Sequence, residues 1–409
     1  MADKVLIISY YFPPMGGAGI GRPVNLLKYL PEYGIAAEIL TVKNVAYRYY
    51  DHQLNDQLKS FKIFRSGSRD PQRLMYLMGM RTVKDKTIAK GASVSSRFFP
   101  DSKTGWVKPA VKLGRVLLEN RGYKAIITTS PPISTHLIGM KLAEEFKIPW
   151  IADFRDYWTS YKFEDIYNDP TQRAKAKKLL DKIKEKADHI TTVSQSIGKY
   201  LGTENVFYNG FDEERSKLWS YQPKDKFVIG LLGTFDQLCP LEPLFELLEL
   251  LKNKSPELYS KITIKQVGSL NYPDIDALIS KYNLTDKIDR LGYYNREETI
   301  KLFDDCSLFY LGLNPEFAEG ILTSRLFDII ASGRKIIASA PRNSELEQFI
   351  NSNVLGLGYE KPADALEYLQ AAVNSFSEGN WKVQPRAEES KKFSSLRLAE
   401  SFAKLINKV

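Results

Sequence analysis

The sequence predicts an α/β protein made of two facing, doubly wound domains of the Rossmann-like kind. Three observations predict it. The chain has 409 residues, more than one ordinary core supports, so two domains of roughly 150 to 200 residues are expected. Apolar runs rich in Val, Ile and aromatics alternate with helix-period stretches, the sign of parallel β-α-β units. The series then starts again after about residue 222.

In chain order the first series is KVLIISYY, AAEILTV, FKIF, KAIITTS, PWIADF and HITTVS. The second is FVIGLLGT, KITIKQVG, IDRLGYY, SLFYLGL, RKIIASA and VLGLGY. The first domain is expected over 1–207 and the second over 227–390. Between them 208–226 is polar without clear periodicity, as in a linker. In 391–409, Leu396, Leu398, Phe402, Leu405 and Ile406 share a helical face, and such a last helix is expected to pack back on the first domain. No short repeat or low-complexity tract stands out.

Composition narrows the class. Hydrophobic residues at 43% and charged residues at 26% describe an ordered globular chain. The only cysteines, Cys239 and Cys306, form no C-x-x-C pair, which fits a reducing cytoplasm and argues against zinc or redox work. No export signal and no apolar stretch of membrane-spanning length is read in the sequence. The formal net charge of +9 is uneven: from Phe61 to Gly105 there are ten Lys/Arg against three acids, together with RLMYLMGMR. Such a stretch is either a solvated loop with a small core helix or a surface for anionic lipid headgroups.

The loop SYYFPPMGGAGIGRP, Ser9 to Pro23, lies between the first strand and a helix. Backbone N–H groups at a helix N-terminus meet phosphate, and Gly16 and Gly17 let a ligand come close. A dinucleotide fingerprint beginning at Gly17 would need glycine where Arg22 stands, and no Gly-Lys-Ser/Thr closes a P-loop. The loop is therefore either a plain tight turn or half of a site completed elsewhere.

The other half is sought at strand ends of the second domain. In NPEFAEGILTSRLFDIIASG, Thr323 and Ser324 open a helix, and Arg325 and Asp328 are neighbours on one face of it. Arg325 and the helix N-terminus suit a diphosphate, and Asp328 suits ribose hydroxyls. A surface Arg–Asp pair beside an ordinary cap is the alternative. Asp274-Ile275-Asp276 imitates a metal-binding D-x-D, but it opens a helix and reads as a cap.

Together, YYFPPMGGAGIGR, FPDSKTGW, TTSPPISTHLIGMKLA, ADFRDYW, ADHITTVSQSI, YNGFD and the Glu319–Ser339 block resemble, in order, the GT-B glycosyltransferases. The likeness is to glycosyltransferase family 4, of the lipopolysaccharide and capsule type, and it covers nearly the whole chain. It implies a retaining, metal-independent hexosyltransferase with no cofactor. Such an enzyme moves a sugar from a nucleotide-sugar donor, UDP first, to a glycan or lipid-linked acceptor held by the first domain. Nucleic acid is not an expected partner. A cytoplasmic place follows; contact with the inner membrane face through 61–105 is a separate expectation, from the charge of that stretch.

By the resemblance, Arg325 contacts the diphosphate and Asp328 the ribose. The first acid of the family pattern falls on Gly320, leaving Glu319 one residue away as the acid facing the donor sugar. No Arg or Lys stands between Gly233 and Lys252, so Thr234 and the backbone take that role. Gly268 gives the donor room, and Tyr293 stacks on the base or packs in the core. His136 and Asp156 are the first-domain catalytic candidates. A buried helix histidine and an Asp–Arg pair holding a loop are the plainer readings of those two. A sugar-nucleotide epimerase of the same fold and a non-catalytic subunit of a glycan-assembly complex are the alternative functions.

Overall fold

The structure, a computed structural model, describes residues 3–83, 98–158, 169–317, 320–385 and 388–409. The chain divides into two compact units, residues 1–209 with 395–409 and residues 210–394.

The first unit holds β1 (Asp3–Ile8), β2 (Ile35–Val42), β3 (Ile63–Ser66), β4 (Ala125–Ser130), β5 (Trp150–Phe154) and β6 (His189–Thr192). They form one sheet in the order β3-β2-β1-β4-β5-β6, with parallel pairings throughout. Central strands covered on both faces read as continuous apolar runs, and β4 is buried along its whole length. Alternation along the strands separates the two faces. Leu6, Ile8, Ile126 and Phe154 meet the helices Val107–Arg121 and Ser134–Phe146. Val5, Ile7, Ile127 and Ile151 meet the helices Gly21–Tyr29 and Ser395–Ile406.

The C-terminal helix Ser395–Ile406 thus closes the first unit. Leu398, Phe402, Leu405 and Ile406 fill its apolar side, Phe402 meets Phe207 edge-on at 5.2 Å, and the Tyr33 hydroxyl donates to the Leu396 carbonyl at 3.1 Å.

The second unit holds β7 (Phe227–Leu232), β8 (Ile262–Val267), β9 (Ile288–Gly292), β10 (Cys306–Gly312), β11 (Lys335–Ser339) and β12 (Gly356–Tyr359). Their order is β12-β11-β10-β7-β8-β9, the same winding as in the first unit. Ile229, Leu231, Ile264, Leu308 and Ile337 pack one face against Leu244 and Leu248 of the Glu242–Lys254 helix.

Most of the stretch expected as a linker groups with the second unit. Residues 210–226 belong to the second unit, because Arg334 organises them. Its guanidinium donates to the Ser220 carbonyl at 2.7 Å and lies 5.2 Å from the Trp219 ring, and Trp219 is buried. Residues 391–394 also stay with the second unit, where Phe393 packs on Phe349 at 5.1 Å. The chain passes from the first unit to the second at 209–210 and returns at 394–395.

Candidate functional site

In open parallel sheets, ligands bind outside the carboxyl ends of the strands where the strand order reverses. That point lies between β1 and β4 in the first unit and between β7 and β10 in the second. Most of the predicted site residues sit at these two edges.

In the second unit β7 ends at Leu232, and Gly233 follows it. The helix Ser324–Ser332 buries Leu326, Phe327, Ile329 and Ile330, which leaves Arg325 and Asp328 on its less buried side. The two do not pair with each other. Arg325 donates to the Leu232 carbonyl at 2.9 Å and to the Cys239 sulfur at 3.1 Å, and it lies 4.9 Å from the Phe235 ring. Asp328 accepts from Arg215 at 2.7 Å and keeps a third of its side chain in solvent. Thr323 is the N-cap residue, yet its side chain makes no cap bond. Its hydroxyl oxygen is buried without a hydrogen-bond partner among the described residues. Ser324 follows it as the first helical residue, half-buried.

The loop after β7 is tied to β10 and to the loop that follows it. Asn314 donates to the Gln237 carbonyl at 2.8 Å, and the Tyr310 hydroxyl donates to the Pro240 carbonyl at 2.8 Å. Thr234 is half-buried within the first of these loops. Tyr293 follows β9 and is half exposed, which rules out the core-packing reading.

Gly268 is required by its own backbone surroundings. A Cβ there would stand 2.1 Å from the Gly233 carbonyl oxygen, and its φ is +133°. The close approach is to the neighbouring strand's backbone. Gly268→Ala is expected to cost about 2 kcal/mol or more, read as a lower thermal midpoint; an unchanged midpoint contradicts this.

Gly320, at the first-acid position of the family pattern, has φ +69°, a left-handed conformation that glycine adopts freely and an acid does not. Glu319 lies outside the described residues. Asp274 accepts from the Ala277 amide at 2.9 Å as a helix cap, and Asp276 pairs with Arg290 at 2.7 Å.

In the first unit the glycine loop is anchored by its own backbone. The Gly16 amide donates to the Tyr49 carbonyl at 2.8 Å, so that N–H is engaged within the protein and is not offered to phosphate. Gly17 takes φ +91° and its side faces open space. Arg155 crosses from β5 and donates to the carbonyls of Ser130, Gly19 and Pro131. It thereby joins the loop after β1 to the loop after β4.

Arg22 explains why the dinucleotide pattern fails. It is buried and forms a two-pronged pair with Asp153, Nε to Oδ2 at 2.9 Å and Nη2 to Oδ1 at 2.8 Å. Its remaining arm donates to the Phe207 carbonyl at 2.8 Å. Asp153 also accepts from Thr129 and Thr191, each at 2.8 Å. Burial raises the Asp153 pKa, but Arg22 and the two threonines outweigh it and hold the carboxyl below its ordinary value.

His136 is not at the surface of the site. It is fully buried, with Nδ1 bonded to the Thr128 hydroxyl at 2.7 Å and its ring 4.4 Å from that of Phe154. Burial pulls its pKa down to about 3, with Asp153 opposing and Arg155 adding to the fall. A neutral, enclosed imidazole cannot exchange protons with a substrate, so the catalytic expectation is withdrawn for His136. Asp156 lies just past β5, and part of it reaches solvent. The surrounding protein desolvates it and raises its pKa, while Arg155 beside it opposes the rise.

Sequence reasoning missed Arg215, Phe235 and Cys239. Arg215 sits on the short helix Glu213–Ser216, capped by Asp212, and the acids after that cap were a readable helix-start signal. Phe235 and Cys239 carry no such local signal, since only folding brings them under Arg325.

No protein-family model matches the sequence, and no curated protein sequence matches it. Solved structures do match. Sucrose-phosphate synthase from Thermosynechococcus elongatus aligns over 99% of this chain and 98% of its own, with a TM-score of 0.64 and 16% identity. HepE from Anabaena, solved with UDP and glucose, aligns over 100% of both chains, with a TM-score of 0.63 and 14% identity. The lipopolysaccharide outer core galactosyltransferase WaaB aligns over 99% of this chain and 100% of its own, with a TM-score of 0.58 and 13% identity. At these identities the likeness is one of fold: two doubly wound units, each with a parallel six-stranded sheet, in the GT-B architecture.

Proposed function

We propose that the protein is a retaining, metal-independent glycosyltransferase of the family 4 type. It transfers a hexose from a UDP-sugar to a glycan or lipid-linked glycan in surface polysaccharide assembly, in the cytoplasm. One observation carries this reading. At the strand-order reversal of the second unit, a helix N-terminus presents Arg325 beside a buried Thr323 hydroxyl with no partner among the described residues, an arrangement suited to a diphosphate. The UDP and UDP-glucose complexes of HepE support a uridine nucleotide as the donor.

In the reaction the bond from the anomeric carbon to the diphosphate oxygen breaks, and its electron pair leaves with the diphosphate. Arg325 and the helix N-terminus neutralise that charge as it grows, while Asp328 accepts from the ribose. The acceptor hydroxyl attacks the same face, and the departing phosphate takes its proton. In the first unit, Asp156 just past β5 is the carboxylate offered to an acceptor.

The test is a thermal-shift screen with UDP-, GDP-, dTDP- and CMP-sugars. A ligand at a hundred times its Kd stabilises by about 2.7 kcal/mol, a rise of roughly 5 to 11 °C for domains of this size. We expect the rise with UDP-sugars; no shift with any of the four overturns the reading. Gly320 at the first-acid position favours one rival, a non-catalytic subunit, and slow UDP-sugar hydrolysis by the purified chain excludes it.

A further inference from the structure

The geometry points to a docking surface for anionic lipid on the first unit, formed by the helix Pro71–Leu77 and the turn that follows it. This helix buries none of its residues. Leu74 is 48% exposed, Leu77 63%, Met78 71% and Met80 46%, so four large apolar side chains face solvent within seven positions. Scattered single exposures are ordinary; a run of this kind marks a contact surface.

The charge around it has one sign. From Phe61 to Val83 the basic residues are Lys62, Arg65, Arg69, Arg73 and Arg81, and the only acid is Asp70. Asp70 is buried, accepting from the Tyr10 hydroxyl at 2.9 Å and capping the helix at Arg73. Every exposed charge of this stretch is therefore positive. Arg73 and Arg81 both lie against the Tyr76 ring, at 5.6 and 4.1 Å, which holds their charge beside the apolar run.

That chemistry selects lipid over a protein partner. Protein hot spots favour aromatic anchors, and the aromatic here, Tyr76, is already covered by two arginines. Flexible Leu and Met tips flanked by cations suit the boundary between acyl chains and anionic headgroups.

The surface is also joined to the strand ends of the same unit. Tyr47 accepts from the Val83 amide and donates to the Arg81 carbonyl, while Gly16 donates to Tyr49 and Asp51 to Pro14. The exposed turn and the glycine loop thus share one backbone scaffold, so an acceptor carried on lipid would be brought to the carboxyl edge of the first sheet.

Co-sedimentation tests this with the full chain and vesicles of equal parts phosphatidylcholine and phosphatidylglycerol, against phosphatidylcholine alone. Binding to the mixed vesicles only, weakening as salt rises, is the expected result. Leu77→Ser with Met78→Ser should weaken it by about tenfold, and Arg69→Glu with Arg81→Glu by about 30-fold or more. No binding to mixed vesicles at low salt, or binding unchanged in both double variants, overturns the proposal. The UDP-sugar thermal shift, measured on the same variants, should stay at the wild-type value, so failure of docking and failure of the donor assignment are read separately.

Discussion

Arg22→Ala is expected to destabilise the protein by about 3–5 kcal/mol, the largest single effect we anticipate. The cost comes from what remains: Asp153 stays buried among apolar strands, keeping its bonds to Thr129 and Thr191 but losing the guanidinium that neutralised it. The Phe207 carbonyl also loses its donor. A first unfolding transition within about 1 kcal/mol of wild type in urea would show that the pair contributes little.

The pH dependence supplies a second readout. In the native protein the Asp153 pKa lies below the unfolded value of about 4. Its contribution to stability is therefore complete above that pH and fades as the pH falls through the folded value. In Arg22→Ala the burial that remains pushes the carboxyl pKa upward, so protonation relieves the variant while it harms the wild type. The gap between them should start to narrow above about pH 4, as the variant's raised carboxyl takes its proton, and narrow further below it, as the wild type loses its contribution.

Arg325→Ala is expected to weaken UDP-sugar binding by roughly 30- to 100-fold, which corresponds to about 2–3 kcal/mol for a charge-assisted contact. The free protein should lose less, about 1–2 kcal/mol, from the bonds to Leu232 and Cys239 and the contact with Phe235. Arg325→Lys keeps the charge but not the planar fork, so it should recover only part of the affinity. Calorimetry on the folded variants decides: wild-type affinity in Arg325→Ala removes the guanidinium from the donor site. Asp328→Ala, which also releases Arg215, should weaken binding by about tenfold.

Several features of the site are local in the chain and were legible there. Thr323, Ser324, Arg325 and Asp328 lie within six positions, and their reading as a helix start needed only cap chemistry and the three-residue spacing. Arg22 likewise announced itself by occupying a position where a dinucleotide loop needs glycine. His136 stayed open between a catalytic group and a buried helix histidine, because a histidine near a strand end looks the same in sequence whether it faces solvent or the core. Here the helix Ser134–Phe146 turns it inward against Thr128 and Phe154.

By itself the sequence determined the two series of six strands, their alternation with helices, and the two loops on which the candidate site residues lie. These follow from periods of 2 and 3.6 residues and from turn chemistry, which act over a few positions. Only the tertiary structure decided which groups meet. Arg22 reaches Asp153 across 131 positions, Arg155 reaches Gly19 across 136, and Arg215 reaches Asp328 across 113. Strand order creates those pairings by bringing distant strand ends side by side, and no local pattern encodes them. The same holds for the bare Leu77 and Met78: their apolar character is written in the chain, but their exposure depends on which surfaces folding leaves uncovered.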